Sequence, residues 1–382
     1  MTAEDFGTPL MLEAYTGQNA EWPWSPEEWE AKAAELLDKP NFEYVAGGAG
    51  GESTMAANLE AFRRRRLRPR MLGENSQRDL SIEVLGLRSP VPFFLAPIGV
   101  QSIVHAEGEL ASARAAAATG VPFVYSSAAT HSIEEVASAL GESPHWYQLY
   151  WVSNRDLVAS LVRRAEAAGH GAIVVTLDTL RLGWRDRDLR NGYLPFLWGE
   201  GIGQYTTDPV FRELAGDSAD VPKEAGPLAL SLFTNLGLGW KDFAWLREQT
   251  KLPILAKGIL RGEDAKRAVE IGLDGVIVSN HGGRQVDGGI ASLDALVEVR
   301  AAVGAGLPVL LDSGIRRGAD VLKALALGAN AVLLGRPYMY GLAVGGQAGV
   351  ERVIRILSAD IDVTLSLIGG RSVRELDPTW VT

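Results

Sequence analysis

The stretch "LPVLLDSGIRRGADVLKALALGANAVLLGRP", Leu307 to Pro337, holds one complete structural unit and the start of the next. "PVLL" is a short continuous apolar run, the pattern of a parallel strand covered on both faces. "GADVLKALALGA" carries apolar residues at helical spacing and closes on Gly. "AVLL" is a second apolar run. Between each run and the helix that follows stand glycines and arginines, in "DSGIRRG" and "GRP".

Working outward, the same unit recurs. Eight short apolar runs begin at Pro92, Val121, His145, Ala172, Leu252, Gly275, Leu307 and Asn330. Helical patterns such as "ELASARAAAATG", "SIEEVASALG", "RDLVASLVRRAEAAGH" and "EDAKRAVEIG" lie between them. Eight strand–helix units predict an α/β chain folded as a (β/α)8 TIM barrel. A doubly wound dinucleotide sheet calls for G-x-G-x-x-G after its first strand, and "APIGVQSIVHAEGE" does not match. Two segments fall outside the repeat. Residues 1–90 are expected to form a mostly helical segment packed on the barrel, with Ser25 of "SPEEWEAKAAELL" as an N-cap. Residues 180–251 separate the fourth and fifth strands and are expected to be an active-site lid. The barrel itself occupies 91–382, and the whole is expected to be a single domain.

Composition excludes several classes. The formal net charge of −10 argues against a nucleic-acid partner, yet leaves room for a small anionic substrate held by local arginines. With no cysteine, disulfides, thiolate nucleophiles and cysteine metal sites are ruled out, and no metal is expected. The start, "MTAEDFGTPLMLEAYTG", is acidic without an apolar core, and the longest apolar run, "VPFFLAPIGV", is too short to span a bilayer. A cytoplasmic protein without a membrane partner is expected. The basic run "RRRRLRPR", Arg63 to Arg70, reads as a solvated or subunit-contact face.

Chemistry on this architecture sits at the C-terminal strand ends. Those ends carry Pro97, Ile98 and Gly99; Ser126; Gln148 and Tyr150; Thr176 and Asp178; Lys257; Ser279, His281 and Arg284; Asp312 through Arg316; and Gly335 and Arg336. The loops after strands seven and eight occupy this architecture's usual phosphate position, where backbone N–H groups and a helix dipole meet an anion. With a lysine at the end of strand five, they point to a phosphorylated cofactor such as FMN. In "VSNHGGRQVDGG", Val278 to Gly289, His281 can act as a general base and Arg284 can take a carboxylate in a planar fork. A base beside a carboxylate clamp suits proton abstraction from a 2-hydroxy acid. His105, His131, His145 and His170 lack such company and read as structural.

The signature "SNHGGRQVDGG" resembles that of the FMN-dependent 2-hydroxy-acid oxidases and dehydrogenases. The resemblance runs from about Trp29 to Arg374, through "YVAGGAGGE", "APIG", "HAEGE", "YQLYW", "TLDT", "KGI", "DSGIRRGADVLKALALGA" and "GRPYMYG". It implies FMN as cofactor and a small 2-hydroxy acid and dioxygen as partners. It implies His281 as the base, oriented by Asp178, with Tyr150 bonded to the substrate. Arg284 and Arg185, helped by Tyr44, would bind the carboxylate, and Tyr205 on the lid would close the site. Pro97, Ile98, Gly99, Ser126, Gln148, Thr176, Lys257 and Ser279 would contact the flavin and ribityl chain. Asp312, Ser313, Gly314, Ile315, Arg316, Gly335 and Arg336 would hold ribityl and phosphate.

Within the family the resemblance is strongest to the lactate 2-monooxygenases, in the long N-terminal segment, "TLDTLRLGWRDRDL", "FLWGEGIGQYTTDPVF" and "GGRSVREL". That branch turns lactate and dioxygen into acetate, carbon dioxide and water. Val286-Asp287 departs toward the oxidases, which release the keto acid and hydrogen peroxide, and so leaves the product's fate open. Gly99 is expected to leave room beside the flavin. Ala128, where glycolate oxidase has a large aromatic, is expected to widen the pocket. A homotetramer or octamer is implied. Some readings stay open on the residues alone: Tyr44 as packing, Asp178 as a helix cap, and Lys257 as the Schiff-base lysine of a flavin-free phosphate-binding lyase or aldolase.

Overall fold

The computed structural model describes residues 5–73 and 76–382; residues 1–4 and 74–75 of the expected N-terminal segment lie outside the described residues. Eight parallel strands close into one barrel. They are β1 (Phe93–Leu95), β2 (Phe123–Ser126), β3 (His145–Tyr150), β4 (Ile173–Thr176), β5 (Ile254–Ile259), β6 (Gly275–Val278), β7 (Val309–Leu311) and β8 (Ala331–Leu334). Each lies inside a predicted apolar run, except that β5 runs one residue beyond "LPILAKG" to Ile259. β8 pairs with β1, Val332 opposite Phe93, so the sheet has no open edge. Side chains fill the interior, with Phe94 meeting Trp146 edge to face at 5.2 Å. The register aligns Ser126 with Gln148 and Thr176 with Lys257, which gathers four polar groups at one end.

Helices Gly108–Thr119, Ile133–Leu140, Arg155–Ala167, Asp242–Gln249, Gly262–Glu270, Ser292–Val303, Gly318–Ala326 and Arg336–Leu367 follow the strands in turn. The fourth corrects a boundary. Residues 180–251, expected to be one insertion, include the barrel's own helix Asp242–Gln249, which packs on Arg155–Ala167. The last helix is broken at Gly345 and Gly346, where a side chain on Gly346 would strike His105.

Among the described residues, the N-terminal segment holds four helices, Gly7–Tyr15, Pro26–Leu36, Lys39–Ala46 and Ser53–Arg64. Ser25 does cap the second, in a reciprocal box with Glu28. A short antiparallel hairpin, Ile82–Val84 with Leu87–Ser89, was not expected there. Leu85 and Gly86 both take positive φ (51° and 77°), as a tight two-residue turn requires.

Candidate active site

One cavity of about 540 Å³ opens at the C-terminal end of the barrel. The loop after β6 supplies its centre. His281 has φ 58°, and Gly282 and Gly283 follow at 66° and 76°, so three consecutive left-handed residues turn the chain back on itself. The turn is pinned where the His281 N–H donates to Ser279 Oγ (3.0 Å) and the Gly282 N–H to Ser313 Oγ (2.9 Å).

His281 Nδ1 lies 2.8 Å from Asp178 Oδ1. A carboxylate only accepts, so Nδ1 carries the hydrogen and Nε2 keeps a free lone pair. Thr179 Oγ1 donates to the same Asp178 oxygen at 2.9 Å and lies 3.3 Å from Nδ1. Sequence reasoning passed over Thr179, although it is the last residue of "TLDT". Burial lowers the His281 pKa; Asp178 raises it less, and the Lys257 charge lowers it further. The imidazole therefore rests neutral near pH 7. Burial raises the Asp178 carboxyl, but the charges of His281 and Lys257 outweigh it and hold the group at about 2. Asp178 is thus an ionised partner of the histidine and caps no helix. A bulge in β5 makes room for it: Gly258 has φ 107°, and a Cβ there would lie 2.8 Å from Asp178 Cβ.

Lys257 is buried between carboxylates. Its Nζ is 3.3 Å from Asp312, 4.0 Å from Asp178 and donates to Ser279 Oγ at 3.1 Å. Burial opposes its charge, but the two aspartates raise its pKa. An amine held in its charged form by two aspartates is poorly suited to act as a Schiff-base nucleophile.

Two guanidiniums converge beside the histidine. Arg284 stands over the Tyr44 ring at 4.8 Å and Arg185 at 5.9 Å. Arg185 donates to the Arg284 carbonyl (3.1 Å) and to Gln285 (3.2 Å), and Asp188 is 3.7 Å away. Burial, then the Arg185 charge, brings the Arg284 pKa down to about 10. Two close cations in a half-dry wall favour an incoming anion. Tyr150 OH lies 3.5 Å from His281 Nε2, and burial raises its pKa to about 12, so it stays a donor.

The far end of the cavity is walled by Gly314, Ile315, Arg316, Gly335 and Arg336. Here the expected phosphate geometry needs correction. The amides of Arg316 and Arg317 donate to Asp320 (3.0 Å each) and that of Gly318 to Asp360 (2.6 Å). Three amides at the start of helix Gly318–Ala326 are thus already taken by carboxylates, and the loop ahead of it and the Arg316 side chain also face the cavity. Arg336 donates to the carbonyls of Val45 (3.0 Å), Gly282 (3.0 Å) and Gly47 (2.7 Å), tying the N-terminal segment to the signature loop.

Pro97, Ile98, Gly99, Lys257, Asp312 and Ser313 line the cavity. Ser126, Gln148 and Thr176 do not; they form a buried relay, Ser126 to Gln148 Oε1 at 2.9 Å and Gln148 Nε2 to Thr176 at 2.8 Å. Ser279 likewise supports Lys257 from behind. Gly99 lines the cavity with no side chain, and a Cβ there would meet the Ala128 carbonyl at 2.6 Å. Gly99 also lets the loop after β1 settle on Ala128. Tyr205 is fully buried behind Phe233, ring centroids 5.4 Å apart, and does not reach the cavity. The insertion contributes Phe196, Leu230, Phe233 and Leu236, none of them anticipated. No histidine besides His281 lines the cavity. Among the described residues, no cluster of three or more His, Cys, Asp or Glu could hold a metal, and no helix is long and apolar enough to cross a membrane.

A closed barrel with a histidine–carboxylate pair and two guanidiniums facing one cavity suits an enzyme that acts on a small carboxylate. The family model described as FMN-dependent dehydrogenase matches residues 33–382. An L-lactate oxidase of Lysinibacillus sphaericus is 44% identical over 96% of this chain and 94% of its own. One from Nostoc is 46% identical over 93% and 96%. The crystal structure of a soluble mutant of the membrane-associated (S)-mandelate dehydrogenase from Pseudomonas putida superposes with a TM-score of 0.84 at 38% identity, covering 94% and 99%. The chain belongs to the FMN-dependent dehydrogenase family: it is an FMN-dependent 2-hydroxy-acid oxidoreductase. The flavin-free lyase or aldolase reading is thereby overturned. The residues fit the cofactor, because the cavity of about 540 Å³ combines a buried ammonium at Lys257, an unobstructed glycine at 335 and the Arg316 side chain.

Proposed function

We propose that the chain is a lactate 2-monooxygenase, converting (S)-lactate and dioxygen to acetate, carbon dioxide and water. FMN bound in the cavity supplies the two-electron acceptor for the hydrogen on the α-carbon. His281 Nε2 takes the hydroxyl proton, and Asp178 stabilises the imidazolium that results. Arg284 and Arg185 bind the carboxylate over the Tyr44 face, and Tyr150 donates to the substrate. Ala128, Leu230 and Phe233 offer an apolar side that suits a methyl group. Lys257 holds a positive charge beside Asp312 in the wall that would face the flavin ring, with Ser126, Gln148, Thr176 and Ser279 bracing that wall.

The observation that carries the monooxygenase reading is the anchoring of the insertion over this cavity. Gln204 and Asp208 are fully buried. Tyr147 donates to Gln204 at 2.6 Å, the Gly203 amide to the Ala129 carbonyl at 3.0 Å, and Arg164 pairs with Asp208 at 3.1 Å. A roof bolted at its middle favours holding pyruvate until dioxygen is consumed. The second reading, an oxidase releasing pyruvate and hydrogen peroxide, is favoured by the names of the lactate-oxidase relatives. Val286-Asp287 does not decide between them: Asp287 accepts from Gly51 (2.8 Å) and Ser53 (2.6 Å), outside the cavity.

Product analysis tests both. Equal acetate per lactate with no peroxide supports the monooxygenase; pyruvate with stoichiometric peroxide establishes the oxidase. A flavin that lactate fails to bleach refutes lactate as substrate. A homotetramer or octamer is proposed on the resemblance, to be read by light scattering.

A further inference from the structure

A third arginine lines the cavity without belonging to the clamp. Arg181 stands three residues past Asp178, and of the residues lining the cavity only Arg181, Leu182, Thr234 and Leu236 are exposed. These four mark the mouth. The backbone beneath Arg181 is fixed: its carbonyl accepts from Gln285 Nε2 at 3.0 Å, and the Leu180 carbonyl from the Asn235 amide at 3.1 Å. Its guanidinium makes no hydrogen bond or ion pair with any described residue, whereas Arg185 pairs with Asp188 and Arg187 with Glu52. The chain as a whole carries −10, so an approaching carboxylate is repelled at long range. A cation beside Leu182, Thr234 and Leu236 opposes that repulsion locally, at the mouth.

We propose that Arg181 is the entrance cation, which captures the substrate carboxylate from water and passes it inward to Arg185 and Arg284. The role rests on the reading of the site as one for 2-hydroxy acids, though not on lactate in particular. Arg181 then sets the rate of capture and leaves the chemical step alone.

The test is anaerobic stopped-flow reduction of the FMN-loaded enzyme, in which the slope at low substrate gives capture and the plateau gives chemistry. For Arg181→Gln at about 10 mM ionic strength, the slope falls about 3- to 10-fold and the plateau holds. The deficit closes at about 500 mM salt, where charges are screened within a few ångströms. Arg181→Lys restores the slope, and the methyl ester of the acid is captured equally well by all three proteins. Equal slopes at low salt, or a loss confined to the plateau, overturns the proposal. A loss confined to dicarboxylic substrates also overturns it, and assigns Arg181 to a second carboxylate. If lactate leaves the flavin oxidised, the lactate reading fails by itself, and the slopes are measured with glycolate or mandelate.

Discussion

His281 pays a backbone cost to stand where it does. A non-glycine residue at φ 58° is disfavoured by roughly 1 kcal/mol, and the two glycines after it share the tight turn. That strain puts Nδ1 on Asp178 and frees Nε2. His281→Ala should retain FMN, since Lys257, Arg316 and Gly335 still line the cavity, and lose about 10²- to 10⁴-fold in turnover; a yellow, fully active variant refutes the base. The pH dependence follows from the direction of the shift. The working form is neutral and its pKa lies below the ordinary 6.5, so kcat/KM should be flat through neutrality and fall only on the acid side of that value. Asp178 raises the histidine pKa, so Asp178→Asn should move the acid limb lower still while depressing the plateau. A limb that moves upward contradicts the pairing. The histidine, the clamp and the paired lysine were legible because strand ends and a glycine-rich loop announced them. Thr179 and the true place of Tyr205 were not, because a side chain's direction is decided by neighbours from elsewhere in the chain.

Among the elements, the eight strands were legible because a strand buried on both faces is written as an unbroken apolar run. The hairpin was not. Its three-residue strands are too short for alternation to register, and its turn sets Leu85, not a second glycine, in the left-handed region. Helix Asp242–Gln249 was absorbed into the insertion because eight residues after a long irregular stretch carry little periodicity of their own. The bulge in β5 is equally silent in sequence, yet it makes room for Asp178 beside His281. Gly258→Ala should push Asp178 away from His281, cost about 1–3 kcal/mol in thermal unfolding and slow turnover. Unchanged stability and rate would show that Asp178 has slack.

For the molecule as a whole, the insertion and the barrel act as roof and vessel. Gln204 joins them by accepting from Tyr147 and donating to the Ser126 carbonyl. Gln204→Ala should cost on the order of 2–4 kcal/mol, from two stranded buried groups. If pyruvate is held under the roof, the same change should raise hydrogen peroxide per lactate consumed; a peroxide yield independent of Gln204 removes the roof from the mechanism.

The N-terminal segment has a different bearing. Arg284 and Arg336 are fastened by the carbonyls of Val45 and Gly47, so the proposed carboxylate clamp is trued by backbone that the barrel does not own. The ring of strands closes on itself without that backbone. A protease that nicked the chain ahead of Phe93 and let the fragment dissociate would leave a closed barrel, its circular dichroism short only of the N-terminal helices' share, whose guanidiniums had lost their moorings. Such a protein would be folded and blind to its substrate.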